Sequence, residues 1–383
     1  MTKHQPYLHN LTPLRGIAAL WVAVFHFKGF IFIFSHHIGT RALDKGYMLV
    51  DLFFIMSGFI MRHVYAQSFS THITNADSQR FFVARFARIY PLHFFTLACL
   101  VLITCCRGDW NIVNDPTAIL TNLLLIHSFG LHKIYTWNRH SWSLSAEWAA
   151  YLIFPLLALF FGRKERLAYW TLFILVIVAY IALLYWLPPA GIGNANRLKL
   201  HELDVTYDYG FLRGIAGFTL GMLCYGLYHD HRVQHIFGKD GIGLAFILGT
   251  VLCMHKGTND LLIVIMFAGL TLSFASNAGR LHKLCSLRPF QFLGKVSYSI
   301  YLIQGLVTML FTTCVELPVF HGILPPMYSA TLLPGLLYFL SYLLLLVACS
   351  AVTYYGLENP CRYFINRHFM QQKDKHPISA GSS

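Results

Sequence analysis

The sequence predicts an all-α, polytopic membrane protein with about ten transmembrane helices. Three observations lead there. The 383 residues are 56% hydrophobic and only 12% charged, with a mean hydropathy of +0.54, whereas soluble domains carry about 25% charged residues. Apolar runs recur along the whole chain, at about 12–34, 47–65, 89–106, 143–161, 167–187, 210–228, 241–254, 260–276, 297–316 and 331–356. With ten spans and both termini in the cytoplasm, nineteen Lys and Arg fall inside and eight outside, while Lys28 and Arg213 lie within spans. Cytoplasmic loops of membrane proteins carry such an excess.

The first run reads as an uncleaved anchor, because no short signal-peptide core with a small-residue cleavage site precedes it. The apolar stretch at 118–128 is too short to cross a bilayer comfortably and reads as re-entrant or interfacial. Counting it as a span would put the basic 277–296 loop outside. Pro188-Pro189, followed by Gly and Asn up to Asn196, marks an outer loop. Segment 106–142 is the largest outer segment. Its His127, His132, Trp137, Asn138, His140 and Trp142 suit either sugar binding or an interfacial aromatic belt. Residues 1–370 form one membrane domain, and 371–383 read as a disordered tail.

The formal charge of +13 reads as loop bias, not as a nucleic-acid surface. The nine cysteines lie mostly in apolar stretches without zinc-ligand spacing, so no metal is expected.

Charged groups inside apolar runs carry the chemistry. Arg15 and His26 lie eleven residues apart in the first run. At about 100° per residue this spacing returns to within roughly 20° of the same direction, about 16 Å further along the helix. Ionisable groups at membrane depth are costly and usually face a wet or functional interior. Asp51 and Glu147 each open an inward-running span, and His26 lies two-thirds of the way along an outward-running one. All three fall at a similar depth. They are therefore expected to meet one another or a polar ligand, since an isolated buried carboxylate is unfavourable.

Arg85 and Arg88, three residues apart, share a helix face at the cytoplasmic mouth of the third span. They read either as ordinary positive-inside anchors or as a grip on phosphate oxygens. Ser57-Gly58, in mid-span, reads as a small pair for close helix packing. Each single residue also reads as a hydrogen-bonded structural group. Asp/His/Glu clusters occur in proton-coupled carriers too, so the residues alone leave enzyme and transporter open.

The segments LTPLRGIAALWVAVFHF, VDLFFIMSGFIM, RFFVARFARIYPLH, SWSLSAEWAAYLIFP and LGKVSYSIYLIQ, taken in order, resemble the signatures of acyltransferase family 3. These are membrane-bound O-acyltransferases that acetylate surface polysaccharides and related glycans. The resemblance runs from about Leu11 to Phe364. It implies that His26 is catalytic, that Arg15 is the family's first-helix arginine, and that Arg85 and Arg88 hold acyl-CoA. It also implies that Glu147 is the family's acidic residue. Where the family often has a histidine, this chain has Gln304. Some members append an extracytoplasmic esterase-like domain, which is not expected here.

The resemblance then implies a mechanism. Acyl-CoA, with acetyl as the first choice of donor group, enters from the cytosol past Arg15. A carbohydrate acceptor enters from outside, with His26 as general base and Glu147 or Asp51 orienting it. The expected location is the bacterial cytoplasmic (inner) membrane, with both termini cytoplasmic and lipid around the spans. The alternative is a transporter or flippase of a lipid-linked sugar. Against it, the two halves show no internal repeat and the buried charges concentrate before residue 150.

Overall fold

All ten apolar runs fold as helices in the computed structural model, which describes residues 7–30, 41–162, 166–189, 201–315, 327 and 332–371. They are α1 (Leu11–Phe27), α2 (Leu49–Tyr65), α3 (Asn75–Arg107), α4 (Trp142–Gly162), α5 (Arg166–Ile181), α6 (Gly210–Tyr228), α7 (Asp240–Lys256), α8 (Asp260–Ser276), α9 (Arg288–Val315) and α10 (Leu332–Thr353). A π-helical turn, Tyr354–Glu358, continues α10 into α11 (Asn359–Gln371). No strand occurs among the described residues. The expected tail beyond Gln371, which ends α11, and most of the Pro-Pro loop lie outside them.

The number of spans differs from the expected ten. Among the described residues, seven helices are long and apolar enough to cross a membrane, or eight if the short His231–Phe237 and α7, bent by 68°, form one span. One reason is length: α8 has 17 residues. At 1.5 Å per residue that is about 25 Å, short of a hydrocarbon core of about 30 Å. The stretch at 118–128 yields only a six-residue helix, Ala118–Leu123. The chain is an integral membrane protein of the helical kind.

Two features position the interior. First, α2 and α6 touch backbone to backbone: a Cβ on Gly58 would sit 1.8 Å from the Phe218 carbonyl oxygen. Only glycine permits that approach. Second, α3 begins earlier than its apolar run, because Thr74 caps it by accepting the Asp77 N–H at 3.0 Å. Its first turns then pack on α4, where Phe81 stacks on Phe154 with ring centroids 4.8 Å apart. Arg85 follows Phe81 by four residues, and Glu147 and Tyr151 precede Phe154 by seven and three. At helical spacing each set shares one face. The aromatic stack thus aims Arg85, Glu147 and Tyr151 at the same space.

Candidate active site

That space is a cavity of about 810 Å³ between α1, α2, α3, α4 and α9, closed at one side by the start of α11. Five cations line it: Arg15, Arg85, Arg88, Lys295 and Arg362. One carboxylate does, Glu147. Lys295 and Arg362 are exposed at its mouth, while Arg15, Arg85 and Arg88 are half-buried.

The cations differ in what they touch. Arg88 is ion-paired with Glu358, which is 1% exposed and also accepts the Ser299 hydroxyl at 2.8 Å. Arg85 meets the Tyr65 hydroxyl at 3.5 Å and lies over the Tyr65 and Tyr151 rings, and its Nε is buried without an acceptor. Among the described residues, Arg15, Arg85, Lys295 and Arg362 have no ion pair. Arg362 feels the repulsion of Arg85 and Arg88, and Arg15 that of Arg88. Like charges gathered in a low-dielectric cleft are costly unless an anion joins them.

Glu147 sits opposite, on the second turn of α4. It accepts hydrogen bonds from the Ser57 hydroxyl at 2.7 Å and from the Tyr151 hydroxyl. The paired small residues of α2 have therefore split their roles. Gly58 packs on α6, as expected of the pair, and Ser57 faces the cavity.

A second polar region lies beyond this one, toward the C-terminal end of α1. His26 packs edge-on against His140, with ring centroids 4.4 Å apart. Neither nitrogen of the buried His140 has a partner. Gly305 leaves room for that ring, since a Cβ there would lie 2.9 Å from its Nδ1. Asn138 ties the region to α9 by donating to the Leu302 carbonyl at 3.1 Å. Ser141 Oγ contacts His127 Nε2 at 3.1 Å, and the His127 ring lies parallel to that of His93. Burial, followed by the nearby His93, pushes the His127 imidazole down to about 3, so it stays neutral at neutral pH. Unpartnered buried atoms also include His93 Nδ1, His127 Nδ1, Asn122 Oδ1 and Gln304 Oε1. Buried polar atoms are normally satisfied by protein, water or ligand. Within the 106–142 segment Trp137, Asn138 and His140 are buried and form this polar region, while 106–112 is exposed.

Tyr301 and Ser143 separate the two regions. Both line the cavity, and the Ser143 hydroxyl bonds the Tyr301 hydroxyl at 2.7 Å. The far side of the Tyr301 ring faces His140, with centroids 6.5 Å apart.

The predicted site residues therefore do not form one cluster. Arg15, Arg85, Arg88 and Glu147 meet in the cavity; His26 does not line it. Asp51 joins neither region. It is fully buried and ion-paired with the equally buried Arg213 of α6, with Nε at 3.2 Å from each carboxylate oxygen. Arg213 also donates to the Tyr47 and Val205 carbonyls at 3.0 and 3.1 Å and stacks on Trp142. The expectation that Asp51, His26 and Glu147 meet fails because Asp51 has a nearer, stronger partner. A lone arginine inside the 210–228 run was the signal for that pair. The matching signal for Arg88 was Glu358 at the end of the last run. Lys295, Arg362 and Tyr151 carried no local signal at all.

A helical membrane protein with a cation-lined cavity and a buried histidine region is the class that fold and site define. Residues 8–355 match the profile of the Acyltransferase domain family. The chain belongs to that family. It is 21% identical over 341 residues to the peptidoglycan O-acetyltransferase OatA of Listeria monocytogenes, covering 81% of this chain and 51% of that protein. It is 25% identical over 327 residues to the O-acetyltransferase OatA of Staphylococcus aureus, covering 77% and 50%. The acyltransferase MdmB of Streptomyces mycarofaciens is 33% identical over 157 residues, 39% of this chain and 38% of that one. The chain spans about half or less of the length of these relatives. No solved structure matches it.

Proposed function

We propose that this chain is a membrane O-acetyltransferase. It moves an acetyl group from cytosolic acyl-CoA to a hydroxyl of an extracytoplasmic or lipid-linked glycan. The observation that carries the reading is the cavity in which Arg15, Arg85, Lys295 and Arg362 gather without a carboxylate partner. A polyanionic, elongated donor answers that arrangement. Its phosphates meet Lys295 and Arg362 at the mouth and the Arg85 guanidinium further in, where a planar fork suits phosphate oxygens. The thioester then lies beside Glu147, Ser57 and Arg15. The relatives named O-acetyltransferases, one of them for peptidoglycan, support a glycan acceptor.

The acceptor approaches from the opposite end of the bundle, where the unpartnered atoms of His140, His127 and Gln304 offer bonds to a hydroxyl-rich ligand. There His26, as an uncharged imidazole, takes the proton of the attacking hydroxyl. For the two halves to meet, the Tyr301–Ser143 bond must open. The basic excess supports a cytoplasmic cavity mouth, and the proposed membrane is the bacterial inner membrane. The test uses purified protein in detergent with acetyl-CoA and a peptidoglycan-derived glycan. Glycan-dependent thiol release with acetyl ester on the sugar is the expected result. A carrier would produce neither, and a wild-type protein that does not bind acetyl-CoA overturns the donor assignment.

A further inference from the structure

Ser57 is one of several helical hydroxyls that bond off their own helix, as Ser143, Ser299 and Thr308 do to Tyr301, Glu358 and Tyr342. A serine or threonine inside a helix normally returns its hydroxyl to the carbonyl one turn back. Thr271, Ser350 and Thr353 do so here, bonding Phe267, Leu346 and Cys349. Ser57 instead sends its proton across to α4, to Glu147 Oε1 at 2.7 Å. The acceptor of that bond is the one carboxylate among the described residues lining the cavity, and Tyr151 donates to the same Glu147 Oε1, its hydroxyl 3.3 Å from that of Ser57. A nucleophile, a base within hydrogen-bond reach and a third group orienting the base make up an activated nucleophile. Ser57 is half-buried and opens onto the cavity, whereas Tyr151 is only 2% exposed. Arg15 lines the same cavity and has no ion pair among the described residues.

We propose that Ser57 is acylated by the donor, making transfer a two-step reaction. This rests on acyl-CoA being the donor. Ser57 Oγ adds to the thioester carbonyl carbon while its proton passes to Glu147. The C–S bond breaks, and the CoA sulfur leaves with that proton as free thiol. Arg15 stabilises the oxyanion between these events. The acceptor oxygen later replaces Oγ on the acyl carbon, and the acceptor's proton ends on Ser57. The division of the interior gives this order its reason. His26 lies behind the Tyr301–Ser143 pair, out of reach of a donor in the cavity. Acylation of Ser57 can be completed while that pair stays bonded, and the acyl group then waits on the protein for the acceptor.

The experiment incubates the full chain, purified in detergent, with acetyl-labelled acetyl-CoA and no acceptor. The expected result is a burst of about one thiol per protein and a label on the peptide bearing Ser57, as an ester stable to neutral hydroxylamine. Ser57→Ala should bind acetyl-CoA as the wild type does but lose both burst and label. Should that variant fail to fold, Ser57→Cys serves instead: its adduct should be a thioester that neutral hydroxylamine cleaves. Acetyl-CoA binding and glycan transfer by the wild type without label, label on His26 or Tyr151, or Ser57→Ala transferring within twofold of wild type would overturn this step alone. A wild type that neither binds nor cleaves acetyl-CoA overturns the donor assignment, and this step falls with it.

Discussion

The cation-lined cavity and the histidine chamber lie in one helix bundle, yet they solve opposite problems. Among the described residues the cavity has more charge than it can pair: four cations without ion-pair partners, against one carboxylate already accepting two hydroxyls. The chamber has almost no charge but an excess of unpartnered neutral atoms, on His93, Asn122, His127, His140 and Gln304. The first suits a polyanion, and the second suits hydroxyls. The difference teaches that electrostatics and hydrogen-bond valence can sort two substrates to two ends of a membrane protein. The Ser143–Tyr301 bond lies at the cavity wall nearest His140.

Six substitutions break or sharpen this contrast. The largest effect on turnover is expected at His26. His26→Ala should lower glycan acetylation by about 10²–10⁴-fold, the usual range for a lost general base. Acetyl-CoA affinity, measured by calorimetry, should stay as in wild type. A parallel loss of affinity would merge the two regions.

Asp51 comes next, but through stability. Asp51→Ala strands the buried Arg213 cation, and breaking a buried pair costs about 3–5 kcal/mol. Thermal unfolding in detergent should register that loss, and the folded fraction should keep its affinity for acetyl-CoA. Unchanged stability with abolished transfer would return Asp51 to the catalytic set.

Arg85→Gln should weaken acetyl-CoA binding by about 1.5–3 kcal/mol, the range for a hydrogen bond to a charged group. Protein stability should hardly change, because no carboxylate is left stranded. Arg88→Gln should do the reverse, since it strands Glu358. Equal behaviour of the two variants would refute the difference in their partners.

The smallest effect belongs to the mouth. Lys295→Gln or Arg362→Gln should cost about 0.2–1 kcal/mol of acetyl-CoA binding, as exposed pairs do. That loss should fade at high salt, as screening of exposed charges requires. Titrating acetyl-CoA at two ionic strengths checks it.

Helical character, the positions of all ten apolar runs and the cavity-facing residues Arg15, Arg85, Arg88 and Glu147 were legible in the chain. Such features are local: a 3.6-residue period, runs of apolar residues and charges that have no business in them. The span count was less legible, because the bent α7 segment and the 17-residue α8 depend on how neighbours pack. Shared depth also misled. Asp51, His26 and Glu147 stand at similar heights on their helices, but height leaves the partner around the axis undetermined.

What the sequence determined alone was therefore which residues are charged inside a lipid-soluble chain, and on which helix faces they stand. Tertiary structure decided their partners. It gave Asp51 to Arg213, Arg88 to Glu358, Ser57 to Glu147 and His26 to His140. The physical reason is range. Helix periodicity acts over a few residues, whereas an ion pair or hydrogen bond can join groups hundreds of positions apart, as it does Arg88 and Glu358, 270 positions apart, and only packing brings those together.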